Sequence, residues 1–156
     1  MKSLLFILII FPFLVKGQTF NLTDTTFKSG QFLRTYQIQF ELNKYELNQE
    51  SKIYLDGIST FLKKNKNLTI EVGNHCDTHY SKQSSTKLTE LRAETIVNYL
   101  VSKDVNADRL LAKGYNNTKP IIPAVQIVTM KTREEIENVH HTNRRTEFKI
   151  LRTDYK

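Results

Sequence analysis

The sequence is poor in residues that cross-link or interrupt a chain, with one cysteine, three prolines, five glycines and no tryptophan among 156 residues. The single thiol, Cys76, excludes an internal disulfide, so the stability of the fold must come from its core. A hydrophobic fraction of 39%, with nine Phe and seven Tyr, supplies that core and excludes a disordered chain. No internal repeat or low-complexity tract is present, and the length fits one domain.

Long apolar runs are equally scarce in this sequence. The only one extends over twelve residues from Leu4 to Val15, after Lys2 and before Lys16-Gly17. Twelve residues rise about 18 Å as a helix, well short of the roughly 30 Å hydrocarbon core of a bilayer. We therefore predict a secretory signal peptide over residues 1–17 and an exported mature chain without a transmembrane segment.

Acidic residues are the minority among the charged side chains, with 16 Asp and Glu against 23 Lys and Arg and a formal net charge of +7. A basic chain suits nucleic acid, an anionic membrane surface or an anionic cell-wall polymer, and equally a merely solvated basic surface. Export through a signal peptide argues against nucleic acid as a partner. Charge alone does not decide between the remaining interpretations.

Hydrophobic periodicity predicts strands that alternate with helices, after a short polar leader over residues 18–33 that holds at most an edge strand. The domain itself is expected to span residues 34–152. In chain order, the pattern first predicts a strand from Arg34 with Tyr36, Ile38 and Phe40 on one face, a helix over 49–65 with Asn48 as N-cap, and a strand over 68–72 that ends at Gly73-Asn74. A helix over 87–102 and a short strand over 108–114 follow. After an irregular stretch at Pro120 and Pro123, the pattern predicts a short helix opened by a capping box at Thr132 and Glu135, and a last strand over 146–151. This order implies helices packed on a mixed sheet.

The segment His75-Cys76-Asp77-Thr78-His79 follows a predicted strand, where loop residues commonly bind ligands. One interpretation is a metal site built by His75, Asp77 and His79. In an extended chain alternate residues point to the same side, but Gly73-Asn74 predicts that the strand has already ended. The sequence therefore disfavours a metal site here.

A second interpretation makes Cys76 a nucleophile with a neighbouring histidine as its base. No glycine-rich turn that could supply an oxyanion hole accompanies it. A lone cysteine is more typically a buried, inert side chain. A third interpretation pairs Asp77 with Arg92, and it depends on a family resemblance.

Several segments of the chain resemble landmarks of the OmpA-like C-terminal domain family. They are Ile70 to Asp77, similar to I-x-I-x-G-H-T-D; Leu88 to Ala93, similar to L-S-x-x-R-A; Gly114-Tyr115, similar to G-Y-G; Asn143 to Glu147, similar to N-R-R-V-E; and Phe40 with Asn43, similar to an opening F-x-x-N. The resemblance covers about residues 36–151. It implies an α+β fold, a βαβαβ-β two-layer sandwich with a mixed sheet and helices packed on one face.

The resemblance also implies non-covalent binding of peptidoglycan, without catalysis, metal or cofactor, with Asp77 and Arg92 holding the diaminopimelate of the stem peptide. The free end of diaminopimelate carries an ammonium and a carboxylate on one carbon. Asp77 would accept from the ammonium, and the guanidinium of Arg92 would hold the carboxylate bidentately, which lysine cannot do. An ordinary surface ion pair is the alternative interpretation of these two residues.

The complete set of ligand-binding residues that the resemblance implies is Asp77, Arg92, Asn74, His75, Cys76, Thr78, Ser85, Leu88, Thr89, Asn143 and Arg144. Three of them depart from the family pattern, with Asn74 in place of Gly, Cys76 in place of Thr and Ser85 in place of Asn. We expect Asn74 to adopt a left-handed turn, which Asn tolerates. Arg144 is expected either near the groove or in a structural pair with an acid, and Arg145 is expected to point away.

The sequence thus predicts a periplasmic module associated with peptidoglycan or the outer membrane, with other cell-envelope proteins as further partners. The alternative is an OmpA-like adaptor that docks another envelope protein through the long insert over residues 120–142. A Cys76 hydrolase acting on the wall is the third interpretation.

Overall fold

The structure is a computed structural model that describes residues 18–77 and 82–156, with the side chains of residues 82–84 left undescribed. The predicted signal peptide over residues 1–17, and Thr78 and His79 of the predicted site, lie outside the described residues.

Four strands and four α-helices alternate along the described chain. They are β1 (Phe32–Thr35), α1 (Gln49–Lys64), β2 (Thr69–His75), α2 (Lys82–Ser102), a short 3-10 turn (Ala107–Arg109), β3 (Leu110–Gly114), α3 (Ala124–Ile127), α4 (Arg133–Asn143) and β4 (Arg145–Arg152). The sheet order is β1-β4-β2-β3, with β2 and β3 parallel and β4 antiparallel to both of its neighbours. The predicted α+β class with a mixed sheet is confirmed.

Local capping explains where α1 and α4 begin. The side chain of Asn48 accepts a hydrogen bond from the Ser51 N–H at 2.8 Å, which satisfies one of the free donors at the start of α1. Thr132 accepts from the Glu135 N–H, and the Glu135 carboxylate accepts from the Thr132 N–H, so the predicted capping box is present. Both helices therefore start where the sequence predicts.

The core lies between the sheet and the two long helices. Its fully buried members alternate along the strands at Ile70, Val72, Phe148 and Ile150, and they face Leu55, Ile58, Leu62, Ile96 and Leu100 of α1 and α2. The polar leader contributes more than an edge strand, because Phe20 is 2% exposed and stacks on Phe61 with 5.7 Å between ring centroids. The packed structure thus begins before the predicted boundary at residue 34.

The predicted strand from Arg34 to beyond Phe40 is wrong in its extent, because β1 ends at Thr35. Thr35 pairs with Thr146, and β4 begins only one residue before Thr146, so the chain beyond has no neighbouring strand. The Ser51 hydroxyl accepts from the Gln39 N–H at 3.0 Å instead. The apolar alternation at residues 36–40 reflects packing in an irregular segment rather than a sheet ladder.

The predicted end of β2 at Gly73-Asn74 is also wrong, because the strand continues to His75. Asn74 pairs with Gly114 on one side and with Thr146 on the other, so it is held in the sheet from both edges. Among the described residues other than glycine, a positive φ occurs at Asn43, Asp104 and Asn116. The expected left-handed turn at Asn74 is therefore absent.

Two further boundaries differ from the prediction, and one helix, α3, was not predicted. Helix α2 begins at Lys82 rather than residue 87, and β3 begins at Leu110 after a 3-10 turn. Pro123 does not only interrupt regular structure, since it occupies the N-cap of α3 with φ of −62°, a value that the proline ring favours. None of the helices in the described part of the chain has the length and apolar character needed to cross a membrane.

Helix α2 lies unusually close to β3, and this contact positions the first half of the helix. A methyl group built on Gly114 would lie 2.5 Å from the backbone nitrogen of Glu90 and 2.7 Å from Oγ1 of Thr89. Only glycine allows that approach. The packing fixes the helical turn that carries Arg92.

Candidate functional site

A cleft of about 170 Å³ opens at the end of the sheet where β2 finishes and β4 begins. Ten side chains line it: Tyr36, Ile38, Gln39, Phe40, Asn74, His75, Arg92, His141, Arg144 and Arg145. Three of the ten are arginines, which makes the cleft suited to a ligand that carries a carboxylate. The irregular segment after β1 forms one wall, and the ends of α4 and β4 contribute the other.

Arg92 is held rigidly at the wall of the cleft. Its side chain is largely buried, and Nε and Nη2 donate to the carbonyls of Lys44 and Glu41 at 2.9 and 3.0 Å. The guanidinium carbon lies 4.9 Å from the centre of the Phe40 ring. These contacts fix the plane of the guanidinium, which is the requirement for bidentate recognition of a carboxylate.

Asp77 is buried just after β2, and its carboxylate is already engaged. It is 2% exposed, and Oδ2 accepts a hydrogen bond from Nη1 of Arg144 at 2.5 Å. Nδ1 of His140 lies 4.0 Å from the same oxygen. The structural pair expected as one alternative for Arg144 is therefore present, with Asp77 as its acid.

Arg144 bridges two acids, because its Nη2 also donates to the exposed carboxylate of Glu137. Partial burial disfavours the guanidinium charge, but the hydrogen bonds to Glu137 and Asp77 outweigh it and raise the pKa of Arg144. Its side chain is 37% exposed, so it reaches from the buried Asp77 to the mouth of the cleft. Arg144 therefore links the buried carboxylate of Asp77 to the exposed carboxylate of Glu137.

Asn74 and His75 form the floor of the cleft at the end of β2. Nδ2 of Asn74 donates to Oγ1 of Thr146 at 3.2 Å, while Oδ1 has no hydrogen-bond partner among the described residues. The His75 ring stacks on Tyr115 at 4.7 Å between centroids. Its Nε2 lies 3.6 Å from Glu147, longer than a hydrogen bond, so burial prevails and lowers the pKa of His75.

Six of the predicted ligand-binding residues are buried and are not among the lining residues of the cleft: Cys76, Asp77, Ser85, Leu88, Thr89 and Asn143. The Cys76 thiol hydrogen-bonds to Ser85, and burial raises the pKa of the thiol. Oγ1 of Thr89 donates to the Ser85 carbonyl at 2.8 Å and accepts from the Asn116 N–H at 3.1 Å. The contacts of Cys76, Ser85 and Thr89 thus join α2 to the loops after β2 and β3.

Asn143 and Arg145 both lie where the sequence did not predict them. The Asn143 amide is buried, where Oδ1 accepts from the Ile121 and Ile122 N–H groups at 2.8 and 3.1 Å, so it anchors the insert. Arg145, expected to point away, lines the cleft. Arg144 lines the cleft as well, so the two neighbouring arginines do not point to opposite sides as they would along a regular strand.

Sequence reasoning missed six members of the cleft: Tyr36, Ile38, Gln39, Phe40, His141 and Arg145. His141 stacks on Tyr36 with 5.5 Å between ring centroids, which closes one rim. Of these, Arg145 carried the clearest signal, because it adjoins Arg144 in the N-R-R segment. Within residues 18–77 and 82–156, no three His, Cys, Asp or Glu side chains gather closely enough to hold a metal ion.

We expect Cys76 to be protected from thiol reagents in the folded protein. Its side chain is 2% exposed, and burial raises the pKa of the thiol, so the reactive thiolate is scarce. Labelling by a chromogenic disulfide reagent at neutral pH is predicted to be about 100-fold slower than in denaturant, where the thiol regains its ordinary pKa and access. Equal rates in the two conditions would contradict the buried placement.

Comparisons with known proteins agree with this architecture. The family model described as the OmpA family matches residues 39–136. Outer membrane protein P5 of Haemophilus influenzae is 29% identical over 96 residues, which are 62% of this chain and 27% of that protein. The chain thus spans about a quarter of the length of this relative and of outer membrane protein A of Serratia marcescens.

Two solved structures share the fold. The periplasmic domain of Helicobacter pylori MotB (residues 78–256) superposes with a TM-score of 0.63 at 21% identity, covering 81% of this chain and 79% of that one. The peptidoglycan-associated lipoprotein of Burkholderia pseudomallei superposes with a TM-score of 0.60 at 17% identity, covering 73% of this chain and 88% of that one. At these identities the likeness establishes the fold.

Proposed function

Because the chain belongs to the OmpA family, we propose that it is a non-catalytic module of the cell envelope that binds peptidoglycan through the diaminopimelate of the stem peptide. A relative of the same fold is named as peptidoglycan-associated, which supports the polymer as the ligand. The apolar run from Leu4 to Val15 supports export to the periplasm.

The observation that carries the proposal is a fixed arginine and a buried aspartate at the same end of the sheet. Arg92 presents a guanidinium whose plane is set by two backbone carbonyls and the Phe40 ring. Asp77 supplies an anion at the end of β2. A ligand with a carboxylate and an ammonium on one carbon matches this pair of opposite charges.

The ligand ammonium binds Asp77 by displacing the guanidinium of Arg144. In the free protein, Arg144 donates a hydrogen bond to the buried carboxylate of Asp77, and a buried charge is costly unless it is paired. Arg144 also contacts Glu137, so it keeps one acidic partner when it leaves Asp77. The released guanidinium stays at the rim of the cleft, where it adds a second cation for the ligand carboxylate.

The state of Cys76 supports binding rather than hydrolysis. The thiol is buried, its hydrogen bond goes to Ser85, and burial raises its pKa. A thiolate nucleophile needs the opposite environment, exposed and with a lowered pKa.

Sedimentation with purified cell walls tests the proposal. We expect the mature protein to pellet with walls whose stem peptide contains diaminopimelate, and to bind at least about 10-fold more weakly to walls that have lysine at that position, because lysine lacks the distal carboxylate. Equal binding to both polymers would show that the basic surface, rather than the cleft, holds the wall.

The insert over residues 120–142 favours the adaptor as a second candidate. Val125 and Val128, in and just after α3, are 73% and 83% exposed. Apolar side chains at such exposure are typical of surfaces that contact another protein when they lie together. An adaptor without wall affinity would pellet with neither polymer, so the same experiment separates the two functions.

A further inference from the structure

A second polar surface lies at the end of the sheet opposite the cleft. It is an open groove of about 760 Å³ lined by Lys63, Lys64, Lys66, Asn67, Asp104, Asn106, Arg109, Tyr155 and Lys156. We call it the lysine groove. It is formed where α1 ends, where β2 begins and where the segment after β4 folds back, with the Tyr155 N–H donating to the Asn67 carbonyl at 3.0 Å.

The charge of the lysine groove is strongly positive and largely uncompensated. Lys63, Lys64, Lys66 and Lys156 are all exposed, and none of them makes an ion pair with a carboxylate of the described chain. Asp104 is the only acid among the lining residues. Four free ammonium groups around one carboxylate leave a surface that attracts anions.

The lysines are not needed to complete the helix that carries them. Arg109 is buried beneath the groove and donates to the carbonyls of Leu62, Asn65 and Leu68 at 2.7 to 2.9 Å. Asn65 donates to the Phe61 carbonyl with both its N–H and its side-chain amide. These bonds satisfy the Phe61 and Leu62 carbonyls near the end of α1 without using the Lys63 or Lys64 side chains, which remain available for a partner.

The composition of the groove favours a lipid surface over a protein. Protein interfaces are enriched in aromatic residues, methionine and arginine and depleted in lysine. The groove offers lysines, which are hydrated point charges without directional preference, and Tyr155 as its one aromatic side chain. Such charges suit a plane of phosphate headgroups.

The position of the groove is consistent with this partner. The seven residues of β2 separate it from the cleft, a distance of about 20 Å along the strand. The cleft lies where β2 ends and the groove where β2 begins, so the two surfaces face opposite directions. A domain held to the wall by its cleft would therefore present its lysines away from the wall.

We propose that the lysine groove binds the anionic phosphate headgroups of a membrane surface, independently of the cleft. The attraction is electrostatic, so it should weaken as salt screens the charges. Membrane affinity is thus a second binding activity of this domain, and it does not require the wall proposal to hold.

Vesicle sedimentation tests the proposal with the mature chain. We expect binding to vesicles rich in phosphatidylglycerol and none above background to vesicles of phosphatidylcholine alone. Changing Lys63, Lys64 and Lys66 together to Gln should weaken binding to the anionic vesicles by about 100-fold, from the contribution of each lysine near a charged bilayer. The matched control changes three exposed lysines elsewhere, Lys87, Lys131 and Lys149, to Gln, with the same loss of net charge.

The control variant should retain most of the vesicle binding. If it loses as much as the groove variant, net charge rather than the groove is responsible and the proposal fails. Failure of the wild-type protein to prefer anionic vesicles would also overturn it. The groove variant should still pellet with cell walls as the wild type does, and Arg92→Lys should still bind vesicles, so the two proposals fail separately.

Discussion

Replacing Arg92 by lysine is expected to lower the affinity for diaminopimelate-containing walls by about 30-fold or more, which corresponds to about 2 kcal/mol. Lysine keeps the positive charge but loses the planar fork that would hold the ligand carboxylate. It also loses the bonds that Nε and Nη2 make to the carbonyls of Lys44 and Glu41. Sedimentation with a dilution series of walls measures the effect.

The control must separate lost recognition from lost stability, because Arg92 is buried. Arg109 offers a close match, since it is 5% exposed and donates to three backbone carbonyls at the other end of the sheet. Arg109→Lys should destabilise the fold comparably, by about 1 to 3 kcal/mol in denaturant unfolding, yet leave wall binding intact. A folded Arg92→Lys variant that binds walls like the wild type would show that Arg92 supplies only a positive field.

Gly114→Ala is expected to destabilise the domain by about 3 kcal/mol in urea unfolding. The added methyl group would lie 2.5 Å from the Glu90 nitrogen, a backbone atom of α2 that cannot rotate away. Relief requires that α2 move from β3, which also shifts the turn carrying Arg92. We therefore expect weaker wall binding even under conditions where the variant stays folded.

Gly57→Ala is the matched control for that substitution. Gly57 lies in α1, and a methyl group there meets no atom within 4 Å. Alanine should stabilise the helix by about 0.5 to 1 kcal/mol. If the two substitutions have effects of the same sign and size, the close contact between α2 and β3 is not present in solution.

The features that could be predicted from the sequence are those determined by nearby residues. Helix α1 begins after the Asn48 cap, and α4 begins after the Thr132 capping box, because both signals act over three residues. The core-facing side chains of β2 and β4 follow from the alternation of apolar residues, although β2 is buried on both faces. These local signals also predicted helices packed on a mixed sheet, and the family resemblance supplied the fold class.

The features that could not be predicted depend on pairing between distant segments. The end of β1 at Thr35 is set by where β4 begins, about 110 residues later. The extension of β2 through Asn74 depends on neighbours on both sides. The local sequence of a short strand does not show which distant strand it pairs with, so neither boundary could be predicted.

In the candidate site, too, the sequence predicts what depends on nearby residues but not what depends on distant ones. The sequence could identify Asp77 and Arg92 from their motifs, but it could not show that Arg144 already donates a hydrogen bond to Asp77. That contact joins residues 67 positions apart in the sequence. Nor could the sequence separate Cys76, Ser85 and Thr89, which lie behind the cleft, from the residues that line it.

The most direct test of the proposed clamp is a structure of the protein bound to a stem tripeptide that ends in diaminopimelate. We predict the carboxylate of the free diaminopimelate end within about 3 Å of the Arg92 guanidinium, and the ammonium at a similar distance from Asp77. Arg144 should have left Asp77 while keeping its contact with Glu137. A tripeptide bound outside the cleft, or one bound while Arg144 still occupies Asp77, would contradict the proposed clamp.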